Sequence, residues 1–266
     1  MSLGCAAENL CLAAQNIGYE SSVAVGDTGV IAVALTEGVD VKSSPLFEQI
    51  DLRQTNRSIY TGEEIALDVL KKLQSIRSEK GISVHYYVRQ TKQFNDIEQY
   101  VLQGNTRQMQ NEAFKAELKS WMRFNKKHQD QTLDGLSYAV FGAPNVPRWM
   151  AEPIMSMAIN AKTQNKADRE KIASASHLVL FTTRENSRRE WVNLGRTLQR
   201  FLLTATELGI AHAYLNQPNE EAEIASEMTR TLGLAGEYPT ILLRIGYGKQ
   251  QAYSKRRPIG DVIAAD

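Results

Sequence analysis

Two stretches near opposite ends of the chain share one pattern, and this repeat constrains the fold more than any other feature. The window GCAAENLCLAAQNIGY, Gly4 to Tyr19, aligns without gaps on GRTLQRFLLTATELGI, Gly195 to Ile210, at an offset of 191 (195 minus 4). Glycines coincide near both ends, and Leu12 falls on Leu203. Each window predicts an apolar helix that ends at a glycine, where the left-handed backbone of a helix stop is accessible.

A strand rich in β-branched residues follows each helix after a loop. It is VIAVAL, Val30 to Leu35, in the first copy and TILLRIGYG, Thr240 to Gly248, in the second. A duplicated helix and strand this far apart indicate two related halves, and we expect the first half to lack its beginning. The initial MSL is interpreted as a cloning remnant on a chain cut upstream. The other interpretation is chance similarity, because helices rich in alanine and leucine are common.

Between the repeats, the sequence predicts a mixture of helices and strands. TGEEIALDVLKKLQSIRSEKG predicts an amphipathic helix capped by Thr61 and ending at Gly81, and ISVHYYVR predicts a strand. Residues 93–105 and 107–125 predict further helices, KIASASHLVLFTT contains a buried strand, and residues 187–209 form the long helix of the second copy. This order favours an α+β fold. Neither GxGxxG nor a P-loop motif occurs, so a Rossmann or P-loop nucleotide site is not supported.

Charge and cysteine content argue against several classes of function. The net charge of +1 gives no general reason to expect nucleic acid or an acidic membrane surface as a partner. Cys5 and Cys11 lie on poorly matched faces of one helix, so two reduced thiols are expected rather than a bridge. The four histidines have no partner at metal-ligand spacing, and no run is apolar enough to span a membrane. The expected location is cytoplasmic.

Two basic segments are candidates for anion binding. RQTNR supplies Arg53, Thr55 and Arg57, which face one way if the segment is extended. Lys255, Arg256 and Arg257 form a second cluster after the last strand. Arginine forks and a hydroxyl are the groups that bind phosphate, so the two clusters together predict a site for a phosphate monoester. Taken singly, each cluster is better explained as a solvated surface patch than as a binding site.

These residues resemble those of a known family. RQTNRSIY looks like the Arg-x-Ser/Thr-x-Arg/Lys signature that opens the flavin-binding nitroreductase fold, and RRPIGDVI resembles the tail that closes it. The internal duplication is similar to the Acg-type branch, in which two nitroreductase units are fused as a pseudo-dimer. The resemblance implies an α+β fold with a central, mostly antiparallel sheet flanked by helices. Residues 1–50 would be the remnant of the first unit and residues 51–266 the complete second unit.

The resemblance also implies a site for flavin mononucleotide (FMN). Arg53 and Thr55 would hold phosphate or ribityl oxygens together with Arg256 or Arg257, and Arg57 would lie near the flavin N1–C2=O edge. A cation there favours the anionic reduced flavin. The loop of Asn216 and Gln217 corresponds to the one whose backbone N–H meets flavin N5 in the family, whereas the residues alone favour an ordinary turn. No protein nucleophile or metal is expected.

The chain departs from the family in two ways. In the family the partner unit contributes a segment upstream of the first long helix, and this chain lacks a counterpart, so at most one site is expected. The irregular stretch Leu133 to Met150, within a wider region 126–160, corresponds to an insertion that folds over the flavin as a lid in Acg-type relatives. A lid that stays closed would give a flavin-binding protein without turnover. The other interpretation is an exposed variable loop.

Three functions follow from these patterns. The first is an oxidoreductase that passes hydride from NAD(P)H through FMN to a nitro compound, a quinone or a similar acceptor. The second is an Acg-type protein that sequesters flavin with little reductase activity. The third is a structural or interaction module that binds no flavin. NAD(P)H and a small acceptor are the expected partners, and a homodimer is an additional expectation if the incomplete first unit exposes apolar surface.

Overall fold

A computed structural model describes residues 1–26, 28–141, 144–253 and 257–263. The helices are α1 Ser2–Asn16, α2 Gln49–Leu52, α3 Leu67–Gln74, α4 Lys92–Gln110, α5 Glu112–Trp121, α6 Lys126–Thr132, α7 Arg148–Ala158, α8 Ala161–Ala173, α9 Arg188–Glu207, α10 Gln217–Glu220 and α11 Ala222–Thr231. The strands are β1 Tyr19–Val25, β2 Ile31–Glu37, β3 Ile82–Val88, β4 Met122–Arg123, β5 Leu136–Ser137, β6 His177–Thr183, β7 Ala211–Tyr214 and β8 Tyr238–Gly246.

The central sheet has the strand order β3-β6-β8-β7, and every neighbouring pair in it is antiparallel. All seven residues of β6 are buried, because helices cover both faces of the sheet. On one face α3 and α9 pack in a cluster that includes Phe181 and Phe201. On the other face α4, α8 and α11 pack in a cluster that includes Ile97 and Leu178. The expected α+β fold with a central antiparallel sheet flanked by helices is confirmed.

Helices α1 and α9 cross at a pair of glycines. A Cβ atom at Gly4 would overlap the carbonyl oxygen of Val192, and a Cβ atom at Gly195 would overlap the carbonyl oxygen of Met1. Only glycine therefore allows the two backbones to approach this closely. The two contacts are reciprocal, because Met1 precedes Val192 by the same 191 positions that separate Gly4 from Gly195.

Polar contacts between α1 and α9 are reciprocal in the same way. Arg200 Nη2 donates to Glu8 Oε2 at 2.8 Å, and Gln199 Nε2 donates to Asn9 Oδ1 at 2.8 Å. Glu8 is the counterpart of Gln199 and Asn9 is the counterpart of Arg200, so each contact maps onto the other when the helices are exchanged. Pairs of contacts that exchange in this way are the property of an interface around a twofold axis.

Strands β1 and β2 form an antiparallel hairpin apart from the central sheet, with Val23 opposite Val33. The predicted strand at Val30 to Leu35 is present as β2. Strand β1 was not predicted, because its first half, YESS, is polar and typical of a loop. The polar residues are tolerated since the hairpin is largely exposed.

The predicted helix between Thr61 and Gly81 is wrong at both ends. Helix α3 covers only Leu67–Gln74. Before it the chain is extended, because backbone N–H groups are used elsewhere: Thr61 N donates to Tyr247 O at 2.8 Å and Ile65 N donates to Ser176 Oγ at 2.9 Å. Thr61 therefore does not cap α3. The predicted helix at 107–125 is also divided, because Asn111 ends α4 and caps α5.

The region between β4 and α8 has a small core of its own. Met122, Phe124 and Ala151 pack together there. Buried Arg123 of β4 connects this strand to the segment just before β5, because its Nε and Nη2 donate to Asp134 Oδ1 at 2.9 and 2.8 Å. The stretch predicted as irregular therefore contains a short strand, β5, and helix α7. In the part of the chain that the structure describes, no helix has the length and apolarity needed to cross a bilayer.

Candidate functional site

The segment Arg53 to Arg57 is extended between α2 and the central sheet. From Thr55 to Tyr60 its even-numbered residues are buried or half-buried, whereas Arg57 is exposed. Asn56 N donates to His212 O at 2.9 Å, which attaches the segment to β7. Asn56 Nδ2 also donates to Lys249 O at 2.8 Å, which attaches it to the chain after β8. The predicted alternation of side chains therefore holds for Thr55 and Arg57.

Arg244 contacts the same segment from the central sheet. It lies within β8 and is fully buried, and its Nη2 donates to the carbonyl oxygens of Ser58 at 2.8 Å and Asn56 at 3.3 Å. Its guanidinium lies 4.0 Å from the centre of the Tyr60 ring, a cation–π contact. Tyr60 OH donates to Asn56 O at 3.0 Å. Burial lowers the pKa of Arg244, and the nearby Tyr60 and Asp168 oppose that effect.

Arg53 and His212 have buried polar atoms without hydrogen-bond partners among the described residues. Arg53 Nε and both ring nitrogens of His212 are buried and make no hydrogen bond in the described residues. Burial, with the charge of Arg53 beside it, lowers the pKa of His212 to about 3. His212 is therefore neutral at ordinary pH. Buried polar groups are rarely left unpaired in proteins, so this pocket of unpaired donors is a candidate for a polar ligand.

Arg57 lies at the surface close to Tyr214 and Lys171. Its side chain is exposed. Burial by the surrounding protein lowers the pKa of Arg57, an effect that Tyr214 opposes. Burial, together with the charges of Arg244 and Arg57, also lowers the pKa of Lys171, against the effect of Asp168. Arg57 makes no ion pair or hydrogen bond among the described residues, so its charge is available to a ligand.

Asn216 and Gln217 follow β7 at the start of α10. Asn216 Oδ1 accepts a hydrogen bond from Leu242 N at 2.9 Å, which fixes the loop to β8. Gln217 Nε2 donates to buried Asp168 Oδ2 at 3.3 Å. Gly104 of α4 lies so close that a Cβ atom there would be 2.7 Å from the carbonyl carbon of Gln217. The loop is therefore rigidly held rather than an ordinary exposed turn.

The C-terminal segment runs beside the Arg53 segment without bringing Arg257 to it. Gln251 N donates to Gln54 Oε1 at 3.1 Å, and Tyr253 OH donates to Leu52 O at 2.9 Å. Arg257 Nη2 instead lies 3.8 Å from Asp134 Oδ2. Arg256 and Lys255 lie outside the described residues. The structure thus brings together Arg53, Thr55, Arg57 and the Asn216 loop at the edge of β7, and it brings Arg257 to the region that was predicted as a lid.

Sequence reasoning did not identify Arg244, His212, Asp168 or Tyr214 as parts of this site. A signal existed for two of them. Arg244 interrupts the apolar run TILLRIG, and His212 stands in the middle of a short apolar strand. A charged or titratable residue in a buried strand needs a specific partner or role. Asp168 carries no comparable signal because its surrounding sequence is polar, and Tyr214 carries none because a tyrosine is ordinary in a strand.

An interior cavity beside α3 is too small to hold a flavin. A cavity of about 130 Å³ lies between α3 and the central sheet, lined by residues such as Leu73, Tyr86 and Phe201. It belongs to the apolar core and not to the Arg53 segment. In the predicted lid, Trp149 is largely exposed. Among the described residues, no group of three or more His, Cys, Asp or Glu side chains could hold a metal ion.

The comparisons with known proteins agree with this architecture. The model of the Nitroreductase family matches residues 50–247. NfnB from Sphigopyxis sp. strain HMH, an FMN and NADPH-dependent nitroreductase, is 13% identical, with 84% of this chain and 99% of that chain covered and a TM-score of 0.54. The FMN-dependent nitroreductase NfnB from Mycobacterium smegmatis, in complex with NADPH, is 13% identical, with 82% and 96% covered and a TM-score of 0.54. No curated protein matches the chain.

Proposed function

Because the chain belongs to the nitroreductase family, we propose that it is a flavin-dependent oxidoreductase. It binds FMN, accepts hydride from NADH or NADPH, and passes it to a nitro compound, a quinone or a similar acceptor. When bound, FMN supplies the hydride chemistry, so the protein needs no nucleophile of its own. NfnB from Sphigopyxis is FMN- and NADPH-dependent, and NfnB from Mycobacterium smegmatis is FMN-dependent and was solved in complex with NADPH, which supports this choice of cofactor and donor.

One observation carries the proposal: the site has cationic donors without anionic partners. Arg53 Nε is buried and unpaired, and Arg57 forms no ion pair with a carboxylate among the described residues. Leaving a buried donor such as Arg53 Nε unpaired is costly, and a phosphate group satisfies it with a charge-assisted hydrogen bond, while the exposed Arg57 remains available to the ring end of the cofactor. The residues present therefore fit the phosphate end of FMN. Thr55 adds a hydroxyl beside Arg53. Of the two tail arginines we assign Arg256 as a further phosphate ligand, because Arg257 lies against Asp134 instead.

Other residues orient the ring end. We place Arg57 at the N1–C2=O edge, where its positive charge favours the anionic reduced flavin. The loop of Asn216 and Gln217 follows Tyr214, which lies near Arg57, and we assign its backbone N–H groups to flavin N5. Its anchors on β8 and Asp168 keep those groups in place without rearrangement during turnover. Neutral His212 keeps a second positive charge away from Arg53 at working pH.

We also propose that the chain is a pseudo-dimer of the Acg type, with residues 1–50 as the remnant of the first unit and 51–266 as the second. The reciprocal contacts of α1 and α9 support it, since they have the pattern of a twofold interface inside one chain. RQTNR occurs once in these 266 residues, which supports one flavin site within them. A homodimer remains part of the proposal.

The alternative is a flavin-sequestering protein with little turnover. The contact of Arg257 with Asp134 favours it, because that contact ties the C-terminal tail to the region 126–160 that would cover the flavin. If this region stays closed, the nicotinamide ring and the acceptor cannot reach the flavin. Neutralising Asp134 as Asp134→Asn would then raise the rate at which NADPH reduces bound FMN.

The test of the site is the FMN affinity of Arg53→Ala and of the double variant Arg256→Ala with Arg257→Ala. Each should weaken FMN binding by roughly 2 kcal/mol or more, as expected for the loss of a charge-assisted hydrogen bond. Fluorescence quenching of free FMN measures the affinity. Arg230→Ala, which removes an exposed arginine from the end of α11, is the matched control and should leave the affinity unchanged. Wild-type affinity in both site variants would exclude this segment as the phosphate site.

A further inference from the structure

The cavity of about 130 Å³ beside α3 has an aromatic floor. Phe181 of β6 and Phe201 of α9 are fully buried there, and their rings meet edge to face with centroids 5.2 Å apart. The ring of Tyr86, from β3, also lines the cavity, and its centroid lies 6.4 Å from that of Phe201. Aromatic rings pack on one another both edge to face and in offset stacks. A further aromatic ring is therefore the group that this floor suits best.

Polar atoms at the floor of the cavity already have partners within the protein. Tyr86 OH donates to Leu73 O at 3.2 Å, and Thr197 Oγ1 accepts a hydrogen bond from Glu79 N at 3.0 Å. A buried water needs several polar partners, and a cavity of about 150 Å³ lined by Leu, Ile and Phe in another protein stays dry and binds benzene. The floor therefore favours an apolar ring over water.

Polar side chains stand where the cavity reaches the surface. Gln74, the last residue of α3, and Ser78 both line the cavity and are exposed, so they form its mouth. An amide and a hydroxyl can each donate or accept a hydrogen bond. Glu79 in the same loop is neutralised by ion pairs with Arg196 and Arg200, at 3.1 and 2.5 Å. The mouth therefore suits a neutral polar group rather than an ion.

The loop that frames the mouth, residues 75–81, is fixed to α9. Arg200 Nη1 donates to Arg77 O at 3.1 Å, and Asn193 Nδ2 donates to Lys80 O at 3.2 Å. These bonds hold the loop in place before any ligand arrives. A site that is formed in advance loses little affinity to the ordering of the protein, so even a small ligand can bind there measurably.

We propose that this cavity is a binding site for a small neutral phenol, a single aromatic ring that carries a hydroxyl group. The ring lies among Tyr86, Phe181 and Phe201, and the hydroxyl group reaches Gln74 or Ser78 at the mouth. The volume suits one ring and excludes a fused ring system such as that of FMN. The cavity is separate from the proposed flavin site, so it binds its ligand with or without flavin.

Isothermal titration calorimetry of the full chain with phenol, in the absence of flavin, tests the proposal. The wild-type protein should bind one phenol per chain, and benzene, which lacks the hydroxyl group, should bind more weakly. Val84→Phe fills the cavity from β3 and should weaken phenol binding at least tenfold. Val88→Phe is the matched control, because it makes the same change on the same strand at a position that is 44% exposed and lies outside the cavity lining. It should bind phenol as the wild type does.

A second variant covers the mouth from an exposed position, where folding depends little on the side chain. Ser78→Trp places an indole over the opening and should also weaken phenol binding at least tenfold. Absence of saturable binding to the wild type overturns the proposal, as does wild-type affinity in both Val84→Phe and Ser78→Trp, or equal affinity for benzene. Arg53→Ala should leave phenol binding unchanged. A loss of binding in Arg53→Ala would place the phenol at the proposed flavin site and overturn the proposal, whereas failure of FMN binding alone leaves it standing.

Discussion

At the scale of single residues, the candidate site depends on buried polar groups that lie behind it. Arg244 places a guanidinium under the Arg53 segment and binds two of its carbonyl oxygens. The charge of Arg244 is offset mainly by the Tyr60 ring and by carbonyl oxygens, because no carboxylate forms an ion pair with it among the described residues. The buried charge of Arg244, opposed in part by the nearby Asp168, favours an anionic ligand at the surface. His212 stays neutral because it is buried and lies beside Arg53.

Stability should depend on pH through His212. Its pKa is about 3 in the fold, against an ordinary value of 6.5, so the unfolded chain binds the extra proton first. The stabilising effect is complete above pH 6.5 and is lost as the pH falls toward 3, on the order of a few kcal/mol over that range. Urea unfolding at pH 7 and pH 5 measures it. His212→Asn should lose less stability than the wild type between these values; parallel losses in the two proteins would contradict the assignment.

At the scale of elements, the crossing of α1 and α9 joins the two ends of the chain. The crossing is close because Gly4 and Gly195 face each other, and it is specific because Glu8 binds Arg200 while Asn9 binds Gln199. The ion pair lies in a mostly buried position, where removal of one partner leaves the other charge unpaired. The first 25 residues are therefore an integral part of the fold and not an appendage.

Gly195→Ala tests this crossing. In an ordinary helix interior the change from glycine to alanine stabilises by roughly 0.5–1 kcal/mol. At Gly195 the added methyl would overlap the backbone of α1, so we expect a loss of roughly 1–3 kcal/mol instead. Chemical denaturation measures the sign. Gly260→Ala, where a Cβ atom meets nothing within 4 Å, is the control and should be close to neutral. A stabilising effect of Gly195→Ala would mean that the helices are not packed this closely.

The sequence predicted elements well where local pattern and tertiary context agree. Strands β3, β6 and β8 and helix α9 have clear periodicity, and the offset of 191 identified the two helices that meet at Gly4 and Gly195. The sequence-based prediction failed where hydrogen-bond partners distant in the sequence determine the local backbone conformation. Thr61 to Ala66 has a helical pattern, but its N–H groups bind Tyr247 and Ser176. For the site, the spacing of RQTNR predicted Arg57 as a candidate. The roles of Arg244 and His212 depend on contacts that only the fold creates.

At the scale of the whole molecule, the site lies where three parts of the chain meet. The tail after β8 runs beside the Arg53 segment through Gln251 and Tyr253, and the region 126–160 contacts the tail through Asp134 and Arg257. Helix α1 lies across α9 at the crossing of Gly4 and Gly195. Retention of a flavin at the candidate site would therefore report on contacts between distant parts of the chain.

The measurement that tests the central claim is a visible absorption spectrum of the purified protein after incubation with FMN and desalting, followed by anaerobic addition of NADPH and, separately, NADH. The account predicts that a flavin band survives desalting and is bleached by at least one of the two nicotinamides. A band that survives but is bleached by neither would favour the flavin-sequestering alternative. Loss of the band on desalting, in wild-type protein that is folded by circular dichroism, would contradict the claim that this chain is a flavoprotein.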